Sequence, residues 1–193
     1  MAQELAVDGK PGLPGDFAIW VFIFAELTVF AVLFAAYAIT RSEHVALFDA
    51  SQRALNRVYG LWNTVLLVTS SYFVARATTA IKAGHRLACG HWLTASLLLG
   101  AGFIGVKLTE FHQDYTHGIT LSGNLFYMFY LCLTFFHFMH VLMGMVILSV
   151  VTVKAYAGRY DAANYTGVET GGAYWHMVDL VWIILFALVY VIH

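Results

Sequence analysis

Apolar residues in this chain gather into long stretches, and polar residues cluster between them. A transmembrane helix needs about 20 mostly apolar residues. Five stretches meet that length: Phe17 to Thr40, Val58 to Ala80, Ala88 to Phe111, Gly123 to Ala155 and Ala173 to His193. The fourth is long enough to tilt or to project beyond the bilayer. The pattern therefore predicts an all-α membrane bundle of five transmembrane helices, with residues 1–193 forming one domain. Between the first two stretches, Arg41 to Arg57 is polar, with Val45, Leu47, Phe48 and Leu55 scattered through it. That segment reads equally as a short helix on the membrane surface or as a solvated loop. The polar Met1 to Asp16 has no cationic stretch followed by an apolar core and a small-residue cleavage site, so it does not read as a signal peptide.

Composition agrees with the pattern. Of the residues, 61% are hydrophobic and 11% charged, against about 25% charged in a soluble domain. Lipid solvates an apolar exterior that water would not. A formal net charge of −1 offers no basic field for nucleic acid. Cys89 and Cys132 stand alone in apolar runs and read as small buried hydrophobes rather than as a disulfide or metal pair. Lys10, Arg76, Lys82, Arg86, Lys154 and Arg159 fall on the N-terminal side of the bundle, and Arg41, Arg53 and Arg57 on the other. The excess predicts a cytoplasmic N-terminus and a C-terminus on the outer side of the membrane.

Ionisable groups inside hydrocarbon are costly, and each needs a reason. Glu26 lies near the middle of the first stretch with no partner within a helical turn. It reads as a proton carrier, as an anchor for a lipid or a neighbouring helix, or as a protonated carboxyl bonded across the bundle. Lys107 and Glu110 share a face at i, i+3, which predicts an ion pair near the interface with the lysine free to snorkel outward. His137 and His140 also share a face. An H-x-x-H pair with no carboxylate at fixed spacing points only weakly to a metal. Two neutral histidines bonding to other helices is the plainer reading. His176 and Asp179 open the last stretch, so the carboxylate can accept the imidazole N–H. Tyr174 and Trp175 suit the membrane boundary. Gly100, Gly102 and Gly105 mark a close helix contact.

Taken in order, these residues resemble a known family over nearly the whole chain. Ala25-Glu26 supplies a central acid, and Leu61-Trp62-Asn63-Thr64 opens the second helix. Glu110-Phe111 ends the third, and His137-Phe138-Met139-His140-Val141 lies in the fourth. Glu169 precedes the fifth, which carries Tyr174-Trp175-His176-Met177-Val178-Asp179-Leu180-Val181-Trp182. The order is similar to that of subunit III of the haem-copper oxidases, in its five-helix bacterial form. Pro14-Gly15-Asp16 and Thr69-Ser70-Ser71 look more like the NorE-type branch associated with nitric oxide reductases. Ala25-Glu26, where that branch often has Gly-Asp, resembles oxidase subunit III instead.

The resemblance implies an accessory, non-redox subunit that is not catalytic alone. It implies no cofactor in this chain, with haem and metal held by partner subunits and a subunit I-type catalytic protein as partner. It also implies phospholipid in a V-shaped cleft and support of proton uptake. Glu26 is expected near His140 and a lipid head group, with Asn63, Glu110, His137, Glu169, Trp175, His176 and Asp179 as further family-motif or lipid-binding positions. On this reading Glu26→Ala lowers lipid retention without abolishing assembly. The alternative from another class is a small membrane cytochrome b ligating haem through His137, His140 and His176. A proton-coupled transporter using Glu26 or Asp179 is a third reading, but the chain has no paired halves.

Overall fold

A computed structural model describes residues 16–192. Lys10, Pro14, Gly15 and His193 lie outside the described residues. Six α-helices follow in order: α1 (Phe17–Glu43), α2 (Val45–Ala54), α3 (Arg57–Lys82), α4 (Arg86–Thr116), α5 (Leu125–Tyr156) and α6 (Thr166–Phe186). A π-helical turn, Ala187–Val191, continues α6. Five spans are long and apolar enough to cross a membrane: α1, α3, α4, α5 and Thr166–Val191.

Local chemistry sets several of the starts. Asp16, Asn56 and Asn124 are N-caps whose side chains accept from the backbone N–H groups of Ala18, Val58 and Tyr127. Each removes an orphan donor that lipid could not satisfy. Between α3 and α4 the chain reverses at Gly84, whose φ of +80° suits a residue without Cβ. That short reversal lets α3 and α4 pack along each other.

α3, α4, α5 and α6 close a ring in which each helix touches the next, and α6 completes it against α3. α1 stays outside the ring, leaning mainly on α6, and buries just Ile23, Phe30 and Tyr37. The core is rich in rings: Tyr37, Phe48, Phe103, Phe126, Tyr130, Tyr174, Trp175, Trp182 and Tyr190 are all within 1% of complete burial.

The structure departs from the sequence reading at several points. Arg41 to Arg57 is largely helical, and α2 does more than lie on a membrane surface. It buries Phe48, Ser51 and Gln52, with the Phe48 ring against Tyr37 and Phe126. The last carbonyls of the π-helical turn and its C-cap have no partner within the helix, and donors from α1 and α2 meet them. Tyr37 donates to Leu188 O at 3.1 Å, Gln52 to Val189 O at 2.7 Å and Arg41 to Ile192 O at 2.6 Å. Asp49 then holds the Arg41 guanidinium at 3.1 Å.

The last helix begins at Thr166 rather than Ala173, because its glycine-rich first turns are helical through packing although weakly apolar. Glu169 therefore lies in the first turn, and His176 and Asp179 lie well inside the helix. Tyr174 and Trp175 are fully buried, not at a boundary. α4 runs on to Thr116, which places Lys107 deep in the bundle and removes any room to snorkel. Cys89 is buried but Cys132 is exposed, on the outer face of α5. Of the three clustered glycines in the middle of α4, Gly100 faces Met145 and Trp175, Gly102 makes ordinary contact with Leu66, and Gly105 faces open space.

Candidate functional site

The polar residues of the spans are mostly spent on ties between helices. Glu26 on α1 meets His140 on α5, with Oε2 and Nε2 2.9 Å apart. The other ring nitrogen, Nδ1, is 2.8 Å from Phe136 O. A carbonyl can only accept, so Nδ1 carries a hydrogen. One proton then lies between the Glu26 carboxyl and Nε2, either as acid and imidazole or as carboxylate and imidazolium. The rings of Phe30 and Phe136 flank the imidazole at 5.1 and 4.6 Å.

His137 is one turn earlier, and the structure separates its fate from that of His140. It is fully buried between Trp182 and Phe103, and neither ring nitrogen has a hydrogen-bond partner. The expectation that both histidines bond to other helices therefore holds for His140 alone. Asn63 is also fully buried, with both amide atoms unpartnered. His176 bonds Ser71 on α3, Nδ1 to Oγ 2.5 Å, and not Asp179. Asp179 neighbours the same Ser71 and leaves Oδ1 without a partner. Glu169 pairs with Lys82 at 2.7 Å, joining the start of α6 to the end of α3.

A second layer of ties escaped the sequence reading. Trp175 donates from Nε1 to Ser70 Oγ at 3.1 Å, and Ser70 meets Ser96 Oγ at 2.7 Å. Trp182 donates to Thr64 Oγ1 at 3.0 Å. Serine and threonine in apolar helices carry no pattern that names a partner, since a hydroxyl can equally bond its own helix.

The largest polar assembly surrounds Lys107. Its Nζ donates to Glu110 Oε2 at 2.9 Å and to Tyr190 Oη at 3.3 Å. The ammonium lies 4.9 to 5.9 Å from the ring centroids of Phe111, Tyr130, Trp182 and Tyr190, a box of π faces that favours a cation. Tyr130 and Asp114 extend the network. The Lys107–Glu110 spacing was legible. Asp114, four residues beyond Glu110 on the same face, was the signal passed over. Tyr130 and Tyr190 carried none.

This arrangement bears on the cytochrome reading. Bis-histidine ligation needs two free imidazole nitrogens facing one slot. Both His140 nitrogens have partners, His176 bonds Ser71, and His137 is packed into aromatic rings. Among the described residues, no three or more His, Cys, Asp or Glu side chains come together as a metal-holding group.

Comparison with known proteins agrees with a membrane bundle of helices. The family model for cytochrome c oxidase subunit III matches residues 10–193. The cytochrome c oxidase subunit 3 of Thermostichus vulcanus is 33% identical over 89% of this chain and 84% of its own length. That of Corynebacterium diphtheriae is 31% identical over 98% of this chain and 93% of its own. The cytochrome bo(3) ubiquinol oxidase subunit 3 of Pseudomonas aeruginosa is 29% identical over 90% and 83%. With five spans, a match across nearly every described residue and relatives covered for most of their length, the chain belongs to the cytochrome c oxidase subunit III family.

Proposed function

We propose that this chain is an accessory, non-redox subunit of a haem-copper oxidase in the bacterial cytoplasmic membrane, seated beside the catalytic subunit. The observation that carries the reading is that His137, His140 and His176 are bonded to, or packed inside, a bundle matched over residues 10–193 by the subunit III family. Such a bundle can brace a neighbour and hold lipid without moving electrons itself. Arg76, Lys82, Arg86, Lys154 and Arg159 lie toward the end where α1 begins, which supports placing that end in the cytoplasm.

The test is affinity purification of the tagged chain from its own membranes in mild detergent, with an absorption spectrum and identification of co-eluting protein. Stoichiometric haem together with a haem-copper oxidase catalytic subunit is the expected result. A nitric oxide reductase in its place moves the chain to the NorE-type branch. Haem that stays with the isolated chain overturns the accessory reading.

Phospholipid is the second part of the proposal, and the geometry favours a particular place. α1 and α3 diverge over α6 and leave a groove of about 490 Å³. Its wall includes Trp20, Ile23, Leu27, Met177 and Leu180, with Lys82 and Glu169 at one end. Lys82 ends α3 and its side chain is about half exposed, so it stands at head-group level with an apolar track leading inward. Glu26 is nine residues into α1, about 13 Å along the axis, nearer mid-bilayer, and its partner is His140. Lys82→Ala is therefore expected to lower the phospholipid retained by the purified complex more than Glu26→Ala, read as lipid phosphorus per protein. Equal retention in wild type and Lys82→Ala removes the groove as a lipid site.

A further inference from the structure

The carboxyls of Glu110 and Asp114 both reach one phenol. Tyr130 Oη is 2.9 Å from Glu110 Oε1 and 2.7 Å from Asp114 Oδ2. A phenol has one hydrogen, and an ionised carboxylate has none. Two short oxygen–oxygen contacts to one phenol therefore need a second hydrogen. Tyr190 also has one hydrogen, and although its hydroxyl lies 3.5 Å from Tyr130 Oη, that hydrogen serves the much shorter 2.5 Å contact to Glu110 Oε1. Lys107 does not either, since Nζ bonds Glu110 Oε2 and Tyr190. The remaining source is a carboxyl proton on Glu110 or Asp114.

Charge leads to the same count. The charged and titratable groups around the two carboxyls are Lys107 and His117 from α4 and its C-cap, and Tyr127 and Tyr130 from α5. Tyr59 of α3 and Tyr190 of the π-helical turn are also among them. Lys107 and the two carboxyls are all at least 92% buried. Among these buried groups one ammonium faces two carboxyls, a balance that one bound proton restores, while His117 is exposed to solvent.

Two further features distinguish this network from a sealed structural tie. The π-helical turn, a form that recurs at functional sites, is what carries Tyr190. A polar vestibule of about 410 Å³ also ends on Glu110 and Asp114, with Asn56, Tyr59, Gln113 and His117 on its wall. It lies at the end of the bundle where α1 finishes and α5 starts.

We propose that Glu110, Tyr130 and Asp114 form a proton-holding site. It carries one exchangeable proton shared by two carboxyls and is loaded from water in the vestibule. The transfer balances without a charged phenol. As the Glu110 carboxyl gives its proton to Tyr130 Oη, Tyr130 gives its own hydrogen to Asp114 Oδ2. Asp114, now the acid, exchanges with water. The reverse sequence reloads Glu110. The site belongs to the chain itself and does not depend on which catalytic subunit it joins.

The test is infrared spectroscopy of the full chain in lipid nanodiscs at neutral pH, before and after transfer to D2O. The wild-type minus Asp114→Asn difference is expected to contain one protonated-carboxyl band that shifts on deuteration. Glu110→Gln should lose the same band, because either substitution removes the need for the extra proton. A Glu26→Gln, Asp179→Asn background leaves the network intact and should keep it, which also covers failure of the first two variants to fold. A difference spectrum showing only carboxylate loss means both groups are ionised and overturns the proposal, as does disappearance of the band in the background variant. A band that does not shift in D2O denies the vestibule route and equally overturns it.

Discussion

Replacing Lys107 with Met is expected to destabilise the bundle by about 3–5 kcal/mol, the typical cost of removing one partner from a buried ion pair. Methionine keeps much of the volume and fits among Phe111, Tyr130, Trp182 and Tyr190, so cavity formation contributes little. What is lost is the positive charge opposite Glu110, which is 2% exposed and bonded to Nζ at 2.9 Å. The carboxylate is then left in low dielectric with phenols as donors and no cation. The check is the thermal midpoint of the purified chain in mild detergent, followed by tryptophan fluorescence. Lys107→Met should lower the midpoint sharply, and Lys107→Met with Glu110→Gln should recover much of the loss. An unchanged midpoint for Lys107→Met alone would mean that the native pair carries no charge.

Gly144→Val is expected to be the most damaging apolar substitution. A Cβ on Gly144 would stand 2.8 Å from Cε3 and 2.9 Å from Cζ3 of Trp175. That ring has no room to yield: it is fully buried, its Nε1 is fixed to Ser70, and its far edge already lies close against Gly100. Overpacking of a close core costs about 1–3 kcal/mol or more, and here it also drives α5 from α6. The measured outcome is loss of the monodisperse peak on size-exclusion chromatography at a temperature the wild type survives. Gly105→Ala is the matched control, because nothing lies within 4 Å of the added methyl, and it should be neutral. If Gly144→Val were neutral too, the α5–α6 contact would not be as close as described.

The same two sites mark how far the sequence could be read. The spans were legible because lipid demands a long apolar run whose backbone satisfies itself, and that demand is local. Their count is therefore right, while their ends drift where packing overrides hydropathy, as in the glycine-rich start of α6. The i, i+3 pairing of Lys107 with Glu110 was legible because both groups lie on one helix, where spacing fixes distance. By the same rule His137 and His140 look equivalent, yet His140 meets Glu26 and His137 meets only rings.

What the sequence determined by itself is the class of the molecule: five apolar spans, the residues that need a reason to be in lipid, and, through their order, the family. The tertiary structure alone decided which of those residues meet. Glu26 lies 114 positions from His140, and Tyr190 lies 80 positions from Glu110. The physical reason is that hydrophobicity is a property of each residue, whereas a hydrogen bond across the bundle depends on the rotation and depth of two helices at once. Those are set by the whole set of packed rings and glycines, and by the π-helical turn from which Tyr190 reaches Glu110.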